Sequence, residues 1–224
     1  MSSVQTKHEI YWVLAFDIER AGATEEFDTI AIGATVLDSN YVALGSYLST
    51  CYVPGETRFE KKCYDEFWSK HKHILKALEN VDTKLSRKEK EKQMITGFVD
   101  FVKAWENKAQ QQHVQLHRVC DNSPFDVHFI NILIYEYYNS TLNPFPYQFN
   151  TRQYGSLWET HSMMKGFLLA TNNAEKARSK NWGFSGIIRK MYPHLPKCAI
   201  TQDHMPHHDA HVIAHQFIWL MSVM

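Results

Sequence analysis

The chain carries no surplus of charge of either sign: Lys plus Arg and Asp plus Glu each number 24 in 224 residues. No global basic field draws it to nucleic acid, so any contact with phosphates has to be local or metal-mediated. Its four cysteines, Cys51, Cys63, Cys120 and Cys198, include no CxxC pair, which removes the commonest structural zinc and dithiol motifs. No apolar run approaches the eighteen or so residues of a membrane span, and the opening MSSVQTKHEI lacks the apolar core of a signal peptide. These absences lead to the expectation of an intracellular, cytoplasmic protein with reduced thiols and no membrane partner. Internal repeats and low-complexity segments are missing as well. What is present is a hydrophobic content of 44%, enough to bury a proper core in a single domain spanning 1–224.

The run YWVLAFDIE (11–19) is apolar almost to its end, as expected of a central strand covered on both faces. FDTIAIGATVLD and YVALGSYLSTCYV follow, separated by the turn-forming DSN, and complete a predicted three-stranded meander. KKCYDEFWSKHKHILKALENV switches to helical spacing, with Phe67, Ile74, Leu75 and Leu78 as its buried stripe. The charged DTKLSRKEKEKQ reads as the solvated start of the next helix, where Ile95, Phe98, Val99, Val102 and Trp105 recur at three and four residues. HVQLHRVCDN is a fourth strand, and SPFDVHFINILIYEYYN a helix opened by Ser123 and Pro124. Between 140 and 200 the pattern loosens: NPFPYQFN is turn-rich, YGSLWETHSMMKGFLL helical, and NNAEKARSKNWGFSGIIRKMYPHLP a set of short helices and loops. A last helix runs to about Met221. This order predicts an α/β fold, a mixed sheet flanked by helices.

Asp17 and Glu19 stand two apart on a predicted strand, so both side chains leave one face, with Cα atoms roughly 7 Å apart. Such a pair can hold a hard divalent cation; equally, it can be two solvated acids where the strand leaves the core. Asp126, in DNSPFD, sits at a strand-to-helix junction, where ligands gather in open α/β sheets. Its alternative role is a capping box with Ser123, Pro124 taking the first helical position. The stretch TQDHMPHHDAHVIAHQ (201–216) contains five histidines and two aspartates. Pro206 suits a first helical turn, which puts His204 in the approach and Asp209 within the first turn or so. At about 100° per residue, Asp209 borders the apolar face formed by Ala210, Ile213, Ala214, Phe217, Leu220 and Met221, while His207, His211 and His215 turn toward solvent. Those three have the i, i+4 spacing of a zinc pair, without HExxH or a cysteine partner.

Taken in order, Asp17-x-Glu19, Asp126 after DNSPF, and His204-x4-Asp209 followed by Ala210 resemble the three signature segments of the DnaQ-like 3′ to 5′ exonucleases, the DEDDh branch of the ribonuclease H-like fold. The motifs extend over residues 17 to 209, nearly the whole chain. The resemblance implies a five-stranded mixed sheet and hydrolysis of single-stranded DNA or RNA from its 3′ end, releasing nucleoside 5′-monophosphates. It also implies that Asp17, Glu19, Asp126 and Asp209 hold two Mg²⁺ or Mn²⁺ ions and that His204 is the general base. Two divalent ions about 4 Å apart can activate a water and stabilise the leaving oxygen of an in-line displacement, and an imidazole titrates near neutral pH.

In DIERAG the sequence departs from the family, with Arg20 where a threonine often contacts the terminal nucleotide. Arg20, Trp68 and Asn122 are the candidate substrate contacts: a guanidinium for a phosphate, an aromatic ring, Trp68 or its neighbour Phe67, for a base, and a polar side chain beside Asp126. Arg20 as a solvent-facing turn residue, and Phe67 or Trp68 as core, are the structural alternatives. Lys176, Arg178, Lys180, Arg189 and Lys190 form the most basic stretch and a candidate phosphate-binding edge. Two other functions remain open on sequence: a catalytically inactive nucleic-acid- or partner-binding module of the same fold, and a zinc-binding structural protein resting on the histidine row.

Overall fold

The computed structural model describes residues 10–137, 157–171, 173, 175 and 184–224. Strand β1 (Tyr11–Arg20) lies at the centre of a five-stranded sheet. It pairs antiparallel with β2 (Thr29–Asp38), which pairs antiparallel with β3 (Ala43–Thr50). On its other side β1 pairs parallel with β4 (Gln115–Cys120), which pairs parallel with the short β5 (Leu157–Glu159). The sheet order is therefore β3-β2-β1-β4-β5, the mixed five-stranded arrangement expected of the chain and compatible with a ribonuclease H-like fold.

Alternation along β1 divides the core. Trp12, Leu14, Phe16 and Ile18 pack against α3 (Arg87–Gln112) and α4 (Ser123–Tyr137), whose Phe98, Val99, Val102, Phe129 and Leu133 complete one apolar layer. Val13 and Ala15 face the other way, onto Ala210, Ile213, Ala214 and Phe217 of the final helix, α7 (Pro206–Val223). A further cluster lies on the far side of α7: Met164, Phe167 and Leu168 of α5 (Thr160–Ala170) and Ile188 of α6 (Phe184–Met191) pack on Trp219 and Leu220. Helix α7 is thus sandwiched between the sheet and a further helical layer, and every residue from Val212 to Leu220 is buried. Met221 is the exception to the expected apolar face, at 37% exposure.

Local differences from the sequence reading have identifiable causes. The single helix expected over 61–81 is broken into α1 (Lys61–Glu66), a 3-10 turn at Trp68–Lys70 and α2 (Lys72–Ala77), with non-helical backbone at Phe67 and His71. The breaks turn Trp68 inward, where it is fully buried and its indole N–H donates to the Arg20 carbonyl at 2.9 Å. The charged run leads into α3 and forms its first turns, mostly exposed as expected, with two exceptions. Ser86 and Glu89 form a capping box, and Lys90 and Glu91 are buried, Glu91 accepting an ion pair from Arg87 at 2.8 Å and Lys90 donating to the Asn80 carbonyl at 3.0 Å. Leu157–Glu159, expected in a helix, add the fifth strand instead. The turn-rich NPFPYQFN and the basic residues Lys176, Arg178 and Lys180 lie outside the described residues.

Candidate active site at the carboxyl end of the sheet

Strands β1 and β4 are parallel and end on the same edge of the sheet, the edge at which open α/β folds place their ligands. Asp17 and Glu19 continue the row of Val13 and Ala15, so they project toward α7. Opposite Asp17 in the β1–β2 ladder stands Gly33. A Cβ at Gly33 would come within 2.1 Å of the His207 nitrogen and 2.2 Å of the Pro206 carbonyl carbon. Only a residue without a side chain lets the start of α7 rest on β2 in this way. That contact sets Asp209, in the first turn of α7, over the two strand acids.

One ligand atom from each of Glu19, His204 and Asp209 lies within 4.8 Å of the other two. Asp17 and Asp126 lie outside that set but inside its field. Burial, followed by the charges of Asp126, Glu19, Asp209 and Asp121, holds the Asp17 carboxyl well above the usual range. Burial raises Glu19 to about 7, opposed by the nearby His204. Asp126, at 3% exposure, is pushed up to about 8 by burial against the lowering effect of a backbone N–H. Asp209 rises to about 6, again through burial first. Four carboxylates brought out of water without a counter-charge are the expected environment of a bound hard cation, and the donor set of oxygens plus one flanking imidazole fits Mg²⁺ or Mn²⁺.

The local folding of each segment is legible. Helix α4 starts at Ser123, with the Asn122 carbonyl accepting the first amides, and Asp126 accepts the Asn122 N–H at 3.1 Å. Asp126 therefore caps its helix through Asn122, one residue earlier than the Ser123 box, and Pro124 is the second helical residue rather than the first. Asn122 is half-buried beside it. His204 occupies the left-handed backbone region at φ 63, a conformation unusual for a residue with a side chain and concentrated at functional sites. Its Nδ1 is 3.7 Å from Glu19 Oε1, and the neighbouring Glu19 carboxylate raises its pKa. Phe67 meets the His204 ring edge-on at 4.6 Å, and His71 lies 5.0 Å away.

Two acids that the sequence reading passed over support the centre. Asp203 accepts from Met205 N–H at 3.2 Å and contacts His208 Nδ1 at 3.1 Å, while its own N–H donates to Asp209 Oδ1 at 3.0 Å. It shapes the loop that presents His204. Asp121, at the end of β4, accepts from the Thr160 hydroxyl at 2.8 Å and adds negative field at Asp17. Its only sequence signal was its place as the first acid of DNSPFD.

Other candidates are reassigned by their surroundings. Arg20 is not a solvent-facing turn residue: it is buried. Its guanidinium donates to the carbonyls of Gly22, Thr24 and Phe27 and to the Thr29 hydroxyl, and lies 3.5 Å from the centre of the Phe129 ring. It clamps the β1–β2 loop. Trp68 is core, so of the two aromatic candidates only Phe67 stands beside the site. Within the histidine row His215 alone is buried, at 4% exposure, its ring against Tyr41 and Trp219, and burial lowers it to about 4, while His207 and His211 are half-buried. Partial burial also lowers His207 and His211. Among the described residues these three do not gather with a third metal-binding side chain.

Comparison of the chain with models of protein families and with curated proteins returned no match.

Proposed function

We propose that the chain is a metal-dependent 3′ to 5′ exonuclease that hydrolyses phosphodiester bonds at the 3′ end of single-stranded DNA or RNA and releases nucleoside 5′-monophosphates. The observation that supports it best is the convergence of Asp17, Glu19, Asp126 and Asp209, from three separate segments, on one edge of the sheet with His204 against Glu19. Mg²⁺ or Mn²⁺ held by these four carboxylates would supply the charge that stabilises the attacking and leaving oxygens. The chain's own part is positional. Glu19 orients the His204 ring through Nδ1, and the half-exposed ring is placed to take a proton from an attacking water. The left-handed backbone at His204 and the Asp203 hydrogen bonds hold that ring at the mouth of the site.

A 5′-labelled single-stranded oligonucleotide incubated with the protein and Mg²⁺ tests the reading, with matched DNA and RNA strands in parallel. A ladder shortening from the 3′ end, abolished by chelator and by Asp17→Ala, is the expected result. No ladder, or one unchanged by Asp17→Ala, would leave a non-catalytic module of the same fold. Among the described residues no helix is long and apolar enough to cross a membrane.

A further inference from the structure

Away from the carboxylates, α6, α7 and the loop between them line a half-open cavity of about 230 Å³. That is below the roughly 300 Å³ at which drug-sized pockets begin, so its occupant is small. Arg189 enters from α6, His215, Gln216 and Trp219 from α7, and Cys198 and Thr201 from the loop. No carboxylate is found among its described lining residues. Two side-chain nitrogens here are buried and lack any hydrogen-bond partner: Arg189 Nε and His215 Nδ1. The His215 side chain is itself more than nine-tenths buried. The Arg189 guanidinium lies over the Trp219 ring at 4.8 Å, and Trp219 is fixed in turn by its N–H bond to the Pro196 carbonyl at 2.9 Å.

Buried polar nitrogens without partners are costly, and a native cavity lined by two such residues is ordinarily completed by a ligand or water. A guanidinium is a planar fork that binds an oxyanion through two parallel N–H bonds. The Thr201 hydroxyl and Gln216 amide add donors without charge. We propose that this cavity is an oxyanion site for a phosphate group, with Arg189 as the charged anchor and His215 Nδ1–H as the buried second donor. The phosphate is either free or the 5′-phosphate of a nucleoside monophosphate. The site is separate from the carboxylate centre, and nothing in it depends on the nuclease reading.

Calorimetric titration with inorganic phosphate, in chelator and at constant ionic strength, tests the site, with the His215 ring proton followed by NMR. Saturable one-site binding that shifts the His215 signal is expected. Arg189→Gln should weaken it by about tenfold or more, and Arg189→Lys, which keeps the charge but loses the fork, by a smaller factor. His215→Gln should weaken it as well, while Asp17→Asn should bind like the wild type. A nucleoside 5′-monophosphate that binds more tightly than phosphate identifies a nucleotide site; weaker binding identifies a site for the free ion. Absence of saturable binding, equal affinity in both Arg189 variants and the wild type, or loss of binding in Asp17→Asn would overturn the proposal. All arms run without divalent metal, so failure of nuclease activity leaves their outcome unaffected.

Discussion

His204 is held from three sides: by Glu19 through Nδ1, by the Phe67 ring, and by a left-handed backbone tied down through Asp203. If it is the base, His204→Ala should slow cleavage about 10²- to 10⁴-fold while oligonucleotide binding persists. A single-turnover rate within a few-fold of wild type would remove it from that role. Trp68 makes the opposite case. Its ring is fully buried and its N–H satisfies the Arg20 carbonyl, so Trp68→Ala should cost about 3–5 kcal/mol in urea unfolding. Trp68→Phe keeps most of the packing but leaves that carbonyl without its donor, and should cost about 1–3 kcal/mol. Lost oligonucleotide affinity at unchanged stability would instead return Trp68 to a base-stacking role.

Between elements, the decisive contact is α7 on β2 at Gly33. A methyl group there meets backbone atoms that cannot step aside, so Gly33→Ala should displace the start of α7 and with it His204 and Asp209. Weaker Mg²⁺ binding by calorimetry and a loss of cleavage larger than the loss of stability are expected. Gly166→Ala, in α5 where an added Cβ meets nothing within 4 Å, is the matching control, and should be neutral or stabilise by up to about 1 kcal/mol. The third layer over α7 has the same kind of consequence. Periodicity alone assigned His207, His211 and His215 to solvent, because a helix on one side of a sheet ordinarily has a wet face. Packing of α5 and α6 beside that face left His215 buried and His207 and His211 only half-exposed, and no local pattern in α7 announces a neighbour.

Over the whole molecule, the acid cluster couples stability to pH. Glu19, Asp126 and Asp209 have folded pKa values raised to about 7, 8 and 6. Between the ordinary carboxylate range and those values the folded state binds more protons than the unfolded state, so stability falls as pH rises through that window. The metal-free protein should therefore melt at a lower temperature at pH 8 than at pH 5 as far as these groups contribute. Mg²⁺ should restore the melting temperature at pH 8 and do little at pH 5, where binding must first displace protons. Asp126→Asn should raise the metal-free melting temperature at pH 8 and remove the Mg²⁺ effect. Melting curves independent of metal at both pH values would argue against a cation at this centre.

The sequence by itself determined four of the five strands, the two strand acids on one face, and the helix starts at Pro206 and near Ser123. These follow from rules acting within a few residues: alternation along a strand, capping, and the fixed φ of proline. Tertiary structure decided which of the polar side chains stay available. It drew Arg20 onto the carbonyls of its own loop, turned Trp68 into the core, closed a helical layer over His215, and left Arg189 and His215 facing one half-open cavity. Burial is a property of what arrives from distant parts of the chain, and so is the hydrogen-bond partner that a buried group finds; neither is written in the spacing of neighbours.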